Sequence, residues 1–414
     1  DRAVREQAWT LSANRRLADR GKIESLFDQL LELRQRIASN AGKADFRDYT
    51  WQASARFDYT PDDCLAFADA VEQVCVPLLA KLDEARREKL GVDKLRPWDL
   101  AVDVEGRAPL SPFDADDAEQ LVTRTREVFG RLSPDLAETF ARLRFGRNLD
   151  LDSRRGKRAG GFQSSLEESG EPFIFMNAAG VQRDVETLLH EGGHAFHFVW
   201  SHEREPLVFI RHAPLEFCEV ASMSMELMGM HHLDVFYGDA ESLARAKRTL
   251  LEGIVRVLPW IATIDSFQHW LYTNPGHSAE ARRDQWLGVL DRFSSPVVDY
   301  TGHEDARAYM WHRQLHLFHH PFYYIEYGIA QLGALQLWAR FQQDREQALR
   351  QYREALALGG TRPLPELFAA AGLRFDFTRK TLEPLLQTLW QQLEALPGDA
   401  QSGRSAPGEI AANG

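Results

Sequence analysis

Cysteine is scarce in this chain: three among 414 residues, Cys64, Cys75 and Cys218. None forms a CxxC pair, and an odd number fits no disulfide framework, so a disulfide-stapled fold is excluded. Buried free thiols in a reducing compartment, the cytoplasm, are the plain reading. Also missing is any apolar run near the ~20 residues that a membrane-spanning helix needs. Positive charge is in deficit: 61 acidic against 49 basic residues leave a net charge of -12. That balance speaks against nucleic acid or an anionic membrane as the main partner. The opening residues, Asp1-Arg2-Ala3-Val4-Arg5, hold no initiator Met and no signal-peptide core, so the chain is expected to begin inside a longer protein. No internal repeat and no heptad seam is found, which sets aside solenoids and coiled coils.

What is present is helical periodicity. Apolar residues make up 44% of the chain, enough for a sizeable core. Residues 4–38 read as two amphipathic helices, with Ile23, Leu26, Phe27, Leu30, Leu31 and Leu33 at helical spacing. Thr60-Pro61-Asp62-Asp63 reads as an N-cap followed by Pro at the first helical position, opening a helix to about residue 88. Helices resume at 114–131 and 134–145. The segment 147–180 differs: it is glycine-rich and carries the one clear strand, Phe173-Ile174-Phe175-Met176. From 181 to 394 the pattern is helical again, with breaks near 205–213, 274–277, 296–303 and 359–363. The fold class is therefore mainly α with a small β-sheet. The expected division is a helical lobe over 1–145, a zinc-binding part over 146–395, and a Gly-, Ala- and Ser-rich tail over 396–414 without fixed structure.

His190-Glu191-Gly192-Gly193-His194 is an HExxH motif. By composition, such a pentapeptide arises by chance in roughly a few per cent of chains this long. Histidines at i and i+4 share one helical face, so both imidazoles reach one ion. Glu191 is rotated about 100° from His190. It is placed to touch a water beside the ion rather than to bind the ion, which is where a general base belongs. The apolar approach, Val185 to Leu189, suits a buried helix.

The third ligand comes from elsewhere, because positions 197 and 200 are His and Trp and the longer HExxHxxGxxH signature fails. His197 falls off the metal face and reads as packing. The next source is the apolar helix at 214–230, where a carboxylate is costly to bury unless it is paired or binds metal. Glu219 and Glu226 share a face, and Glu216 lies one turn before Glu219. Helix geometry alone does not separate Glu219 from Glu216. One binds the metal while Glu226 orients a histidine ligand. For Glu216 and Glu226 an ordinary surface charge or cap is the competing reading. Two imidazoles, one carboxylate and an open position make the ion Zn2+, one per chain.

These residues point to a family. HEGGHAFH followed by Glu-Val-Ala-Ser, with Glu219 placed 29 residues after His190, resembles the oligoendopeptidase F branch of the thimet oligopeptidase family of zinc metallopeptidases. The block Pro321-Phe322-Tyr323-Tyr324-Ile325-Glu326-Tyr327-Gly328-Ile329-Ala330 and the stretch Phe173 to Asn177 agree with it. The likeness runs from about residue 5 to residue 392. It implies a large helical body around a deep channel that admits short unfolded peptides, with a zincin-type helix at its floor. It also implies Glu219 over Glu216 as ligand. Members of the family are usually longer at the N-terminus, by something like a small helical domain.

Peptide hydrolysis builds an oxyanion that needs donors opposite the metal. His316, His320, Tyr323, Tyr324 and Tyr327 cluster after Trp311; on a continuous helix 316, 320, 324 and 327 share a face, with Pro321 in its first turn. The resemblance implies His316, Tyr327 and one of Tyr323 or Tyr324. The glycine-rich loop 155–162, with Gly160 and Gly161, lacks the GK[ST] of a phosphate loop and reads as a flap over substrate. The strand with Phe173 and Phe175 is expected to pair with an extended peptide. The expected activity is endopeptidase hydrolysis of short peptides with Glu191 as base. A zinc aminopeptidase or carboxypeptidase, or a catalytically weak peptide-binding fragment, are the alternatives. Oligomeric state is not legible.

Overall fold

A computed structural model describes residues 1–158 and 160–397. The tail expected over 396–414 lies almost wholly outside the described residues. Sixteen α-helices carry the described fold. The first six are α1 (Arg2–Leu17), α2 (Arg20–Asn40), α3 (Phe46–Ala53), α4 (Pro61–Lys89), α5 (Ala118–Leu132) and α6 (Pro134–Phe145). A three-stranded sheet follows: β1 (Leu149–Asp152), β2 (Phe162–Leu166) and β3 (Glu171–Ala178). Then come α7 (Gln182–Arg204), α8 (Leu215–Gly229), α9 (Ala240–Thr273), α10 (Ala279–Phe293) and the short α11 (Glu304–Ala308) and α12 (Leu315–His319). The chain closes with α13 (Tyr324–Gln343), α14 (Arg345–Leu356), α15 (Leu364–Ala370) and α16 (Arg379–Ala395). No helix among the described residues is long and apolar enough to cross a membrane.

Local chemistry explains the element ends. Thr60 accepts from the Asp63 N–H at 3.3 Å while Asp63 accepts from the Thr60 N–H at 2.8 Å. That reciprocal pair opens α4 with Pro61 at its first position, where the missing N–H costs nothing. α3 was not expected; its start is fixed by Asp45, which accepts from the Asp48 N–H at 2.8 Å. One core runs from Phe27 to Leu393. Within it α8 lies against both α7 and α13, α4 lies on α9, and the sheet covers one side of α7.

The sheet departs from expectation. Its order is β1-β3-β2, with β1 parallel and β2 antiparallel to β3. β3 is longer than the four residues read from sequence and sits in the centre. Phe173 pairs with Ser164, and Phe175 pairs with Phe162 on one side and Asp150 on the other. Both edges of β3 are therefore taken, so Phe173 and Phe175 cannot pair with a bound peptide as expected. The unpaired edges belong to the outer strands, β1 and β2. The aromatic segment also differs. It is not one helix: α12 ends at His319, because helical geometry is disfavoured for the residue before proline, and His320 leaves it at φ -136° and ψ 69°. Pro321 lies in the intervening turn, not in a first helical turn.

α7 and α8 approach closely because Gly193 has no side chain. A Cβ there would stand 2.6 Å from the Ala221 carbonyl oxygen and 2.6 Å from the Ser222 Cα. Both are backbone atoms of α8, so only movement of a helix relieves the clash. Gly193→Ala should lower stability by about 1–3 kcal/mol and weaken metal uptake more than a control change on the outer face of α7. Urea denaturation and zinc titration on the same samples check this.

Candidate metal and catalytic site

The site is built at the crossing of α7 and α8. His190 and His194 stand one turn apart on α7 with ring centroids 4.9 Å apart. Their Nε2 atoms lie 3.4 and 3.6 Å from Oε2 of Glu219 on α8. Ligands of one tetrahedral ion with bonds near 2.0–2.1 Å sit about 3.4 Å from one another. The three donors thus fit a single divalent ion, and two imidazoles with a carboxylate suit zinc.

Neighbouring groups hold each donor. The His190 Nδ1–H donates to Glu226 Oε1 at 2.6 Å, which turns Nε2 toward the other donors. Ser222 donates to Glu219 Oε2 at 3.1 Å and Tyr323 donates to its Oε1 at 3.1 Å. Burial pushes the Glu219 carboxyl up, but His190, His194 and Ser222 outweigh it and hold it down at about 2. Burial works against a charged His190, yet Glu219 and Glu226 raise it well above the ordinary histidine range. His194 has no such second carboxylate, and burial takes it down to about 4. His197 is buried, its Nε2 unpartnered among the described residues, and burial lowers it to about 3.

Glu191 is only 6% exposed. Burial raises its carboxyl to about 7, with His190 and the Gln163 backbone pulling the other way. A carboxyl poised near neutrality beside the trio can take and return a proton.

A cleft of about 400 Å³ opens over these residues. Gly161, Phe162, Gln163 and Ser165 from the edge of β2 form one wall, and Tyr323 and Tyr327 stand on another. Of the two tyrosines left open by the sequence, Tyr323 lines the cleft and Tyr324 does not; the Tyr324 hydroxyl engages Trp260 and Gln314 instead. The break at 320–323 rotates α13, and this is why the single-helix face fails. His316 does not line the cleft; its ring lies 4.8 Å from that of Tyr324, 5.8 Å from that of Tyr323 and 6.1 Å from that of Tyr327. Its Nδ1 accepts from Gln314 at 2.8 Å, and burial lowers its pKa.

Gly160 does not line the cleft. Its carbonyl accepts from the Asn177 amide at 3.1 Å, which ties the loop to β3. Phe175 stacks on Phe162 at 4.9 Å under Lys157. Glu216 is neither a surface charge nor a cap: it is 3% exposed and accepts from the Tyr59 hydroxyl at 2.6 Å. Sequence reading missed β2, whose run Phe-Gln-Ser-Ser-Leu carries little β signal. It also missed the cleft residues Arg211 and His212, which lie in a loop. A second trio, Cys64, Asp265 and His269, is fully buried and brings three potential donors together. His269 already bonds Asp265 at 3.1 Å, and the Arg56 charge acts on Cys64, so it suits a cation poorly.

The model of Peptidase family M3 matches residues 1–385. An oligoendopeptidase F homolog of Borreliella burgdorferi is 23% identical over 332 residues, 78% of this chain and 54% of that protein. The chain spans about half the length of the curated relatives it matches. A crystal structure described as that of an oligoendopeptidase F superposes with a TM-score of 0.89 at 31% identity, over 96% of this chain and 69% of the other. One of PZ peptidase A with an inhibitor gives 0.89 at 30% identity, over 96% and 70%.

Since Glu226 fixes the His190 ring, Glu226→Ala should lower zinc affinity about 10–100-fold. Because a proton on His190 competes with the ion, affinity should also fall as pH drops and zinc uptake should release protons. Competition titrations with a chelating dye at several pH values read both. Unchanged affinity in the variant removes Glu226 from this role.

Proposed function

The chain belongs to peptidase family M3, and from that membership we propose that it is a zinc-dependent endopeptidase hydrolysing short, unstructured oligopeptides. His190, His194 and Glu219 are the metal ligands. Bound there, zinc would acidify water and polarise the scissile carbonyl. Glu191 takes the proton from the attacking water and passes it to the leaving amine. Tyr327 donates to the oxyanion, joined by Tyr323 when its O–H turns from Glu219 Oε1 toward the bound peptide, and His316 lies beside both rings. Phenols are neutral donors at pH 7, and burial raises both hydroxyls well above their ordinary range, so they stay protonated. The extended peptide lies along the open edge of β2, held by main-chain hydrogen bonds that are indifferent to sequence.

The observation that carries this reading is the meeting of three parts in one cleft: the donor trio with Glu191, the two tyrosines, and a free strand edge. Internal cleavage is favoured over removal of C-terminal residues. Arg211, on the cleft wall, is already held by Glu167 at 3.0 Å and by the Glu205 and Pro206 carbonyls at 2.7 and 3.2 Å, so it is not offered to a peptide carboxylate.

A quenched peptide blocked at both ends tests the endopeptidase reading: internal products are expected, lost with chelator and restored with zinc. Glu191→Gln should keep its zinc and lose at least about 100-fold in kcat. Tyr323→Phe should cost about 10²–10³ in kcat with KM little changed. Parent-rate hydrolysis by the Gln variant would show that the base lies elsewhere.

A further inference from the structure

Tyr323 follows a residue in an unusual state. Phe322 adopts φ +63°, a left-handed conformation that bulky side chains rarely take and that persists only where surroundings enforce it. Its ring is fully buried between Trp51, His269 and Tyr272, at 5.4, 5.3 and 5.3 Å.

Two buried arginines hold this backbone. Arg56 Nη2 donates to the Phe322 carbonyl at 2.7 Å and to Glu326 Oε1 at 2.5 Å. Its Nε lies 3.8 Å from Oε1 of Glu216, one turn before Glu219 on α8. Arg34 of α2 donates to the Leu317 carbonyl at 3.1 Å and the Tyr272 hydroxyl at 2.7 Å, and its other nitrogen donates to the Phe318 carbonyl. These are carbonyls of the last turn of α12, which lack helical partners. Neither arginine lines the cleft, and each reaches its carbonyls across more than 200 residues of chain.

We propose that Arg56, with Arg34, is a positioning residue: the pair locks the strained turn at Phe322 and so sets where Tyr323 and Tyr327 stand relative to Glu219. The proposal rests on the reading of Tyr323 as an oxyanion donor. Arg56 acts on three things at once: the backbone before Tyr323, the first turn of α13 through Glu326, and the metal-ligand helix through Glu216. Removing it frees the turn to relax toward an ordinary φ, which turns the Tyr323 hydroxyl away, while the His190–Glu226 and Ser222–Glu219 bonds still hold the trio.

A double-mutant cycle with amide hydrogen exchange tests this in the full chain. Arg56→Met should lower kcat at least about tenfold with KM within about twofold, but cost under about threefold more on a Tyr323→Phe background, since residues acting through one group are not additive. Exchange over 320–327 should rise about tenfold or more while α7 amides keep their protection. Arg56→Lys, which keeps the charge but cannot span Glu216 and the Phe322–Glu326 pair together, should recover part of the kcat. If Arg56→Met does not fold, Arg56→Lys and Arg34→Gln run the same cycle. Equal losses on both backgrounds, or unchanged exchange over 320–327, overturn the positioning role. A Tyr323→Phe variant with parent kcat instead overturns the donor reading beneath it, and the exchange result still decides whether the arginines hold the turn.

Discussion

A buried carboxylate facing two buried imidazoles is the interaction around which this site is organised. Glu219 lies in an apolar helix, where an unpaired charge costs several kcal/mol. It is 5% exposed, so water does not relieve that cost. His190, His194, Ser222 and Tyr323 all converge on it. The convergence requires α7 and α8 to lie backbone against backbone, and Gly193 provides the room. Glu226 then fixes one ring from behind. The unequal pKa shifts of His190 and His194 follow from the same layout: the first ring lies between two carboxylates and the second faces only one.

Behind this layer is another, made of Arg56, Glu216, Glu326 and Tyr59. All four are nearly sealed from solvent, and Arg56 lies 5.0 Å over the Trp51 ring. Buried ion pairs contribute little net stability compared with well-packed apolar groups, but breaking one by removing a single partner costs about 3–5 kcal/mol. Their value here is geometric. Charges fix direction where apolar packing fixes only distance, and this cluster joins the turn after α3, the helix α8 that carries Glu219, and the tyrosine helix α13.

How much of this was legible in the sequence follows from how local each feature is. The HExxH pair, the capping box at Thr60 and Asp63, and the loop breaks at 205–213 and 274–277 are set by neighbours within a turn or two. They match the helix ends Arg204 and Thr273 and the helix starts Pro61 and Leu215. β2 was invisible because its pairing with β3, not its composition, makes it a strand. Tyr323 could not be separated from Tyr324 because the turn between α12 and α13 depends on arginines far away in sequence. Glu216 stayed open between metal ligand, surface charge and cap for the same reason: its partners Tyr59 and Arg56 come from the far end of the chain. The resemblance drawn from three short blocks agrees with the family match, because those blocks are where chemistry constrains residue type.

The shape of the cleft bears on which peptides can enter. The edge of β2 offers N–H and C=O groups only to a chain whose own backbone groups are unpaired. A folded protein has spent those groups on its own helices and sheets, and opening a segment of it costs much of its stability. A short flexible peptide has no such debt beyond the entropy of straightening. Paired as a strand, its side chains would alternate between the two faces of the sheet. On the proposed reading, main-chain pairing along β2 selects for extended form before any side chain is read, which would tie a preference for unstructured peptides to that strand edge rather than to a dedicated specificity pocket.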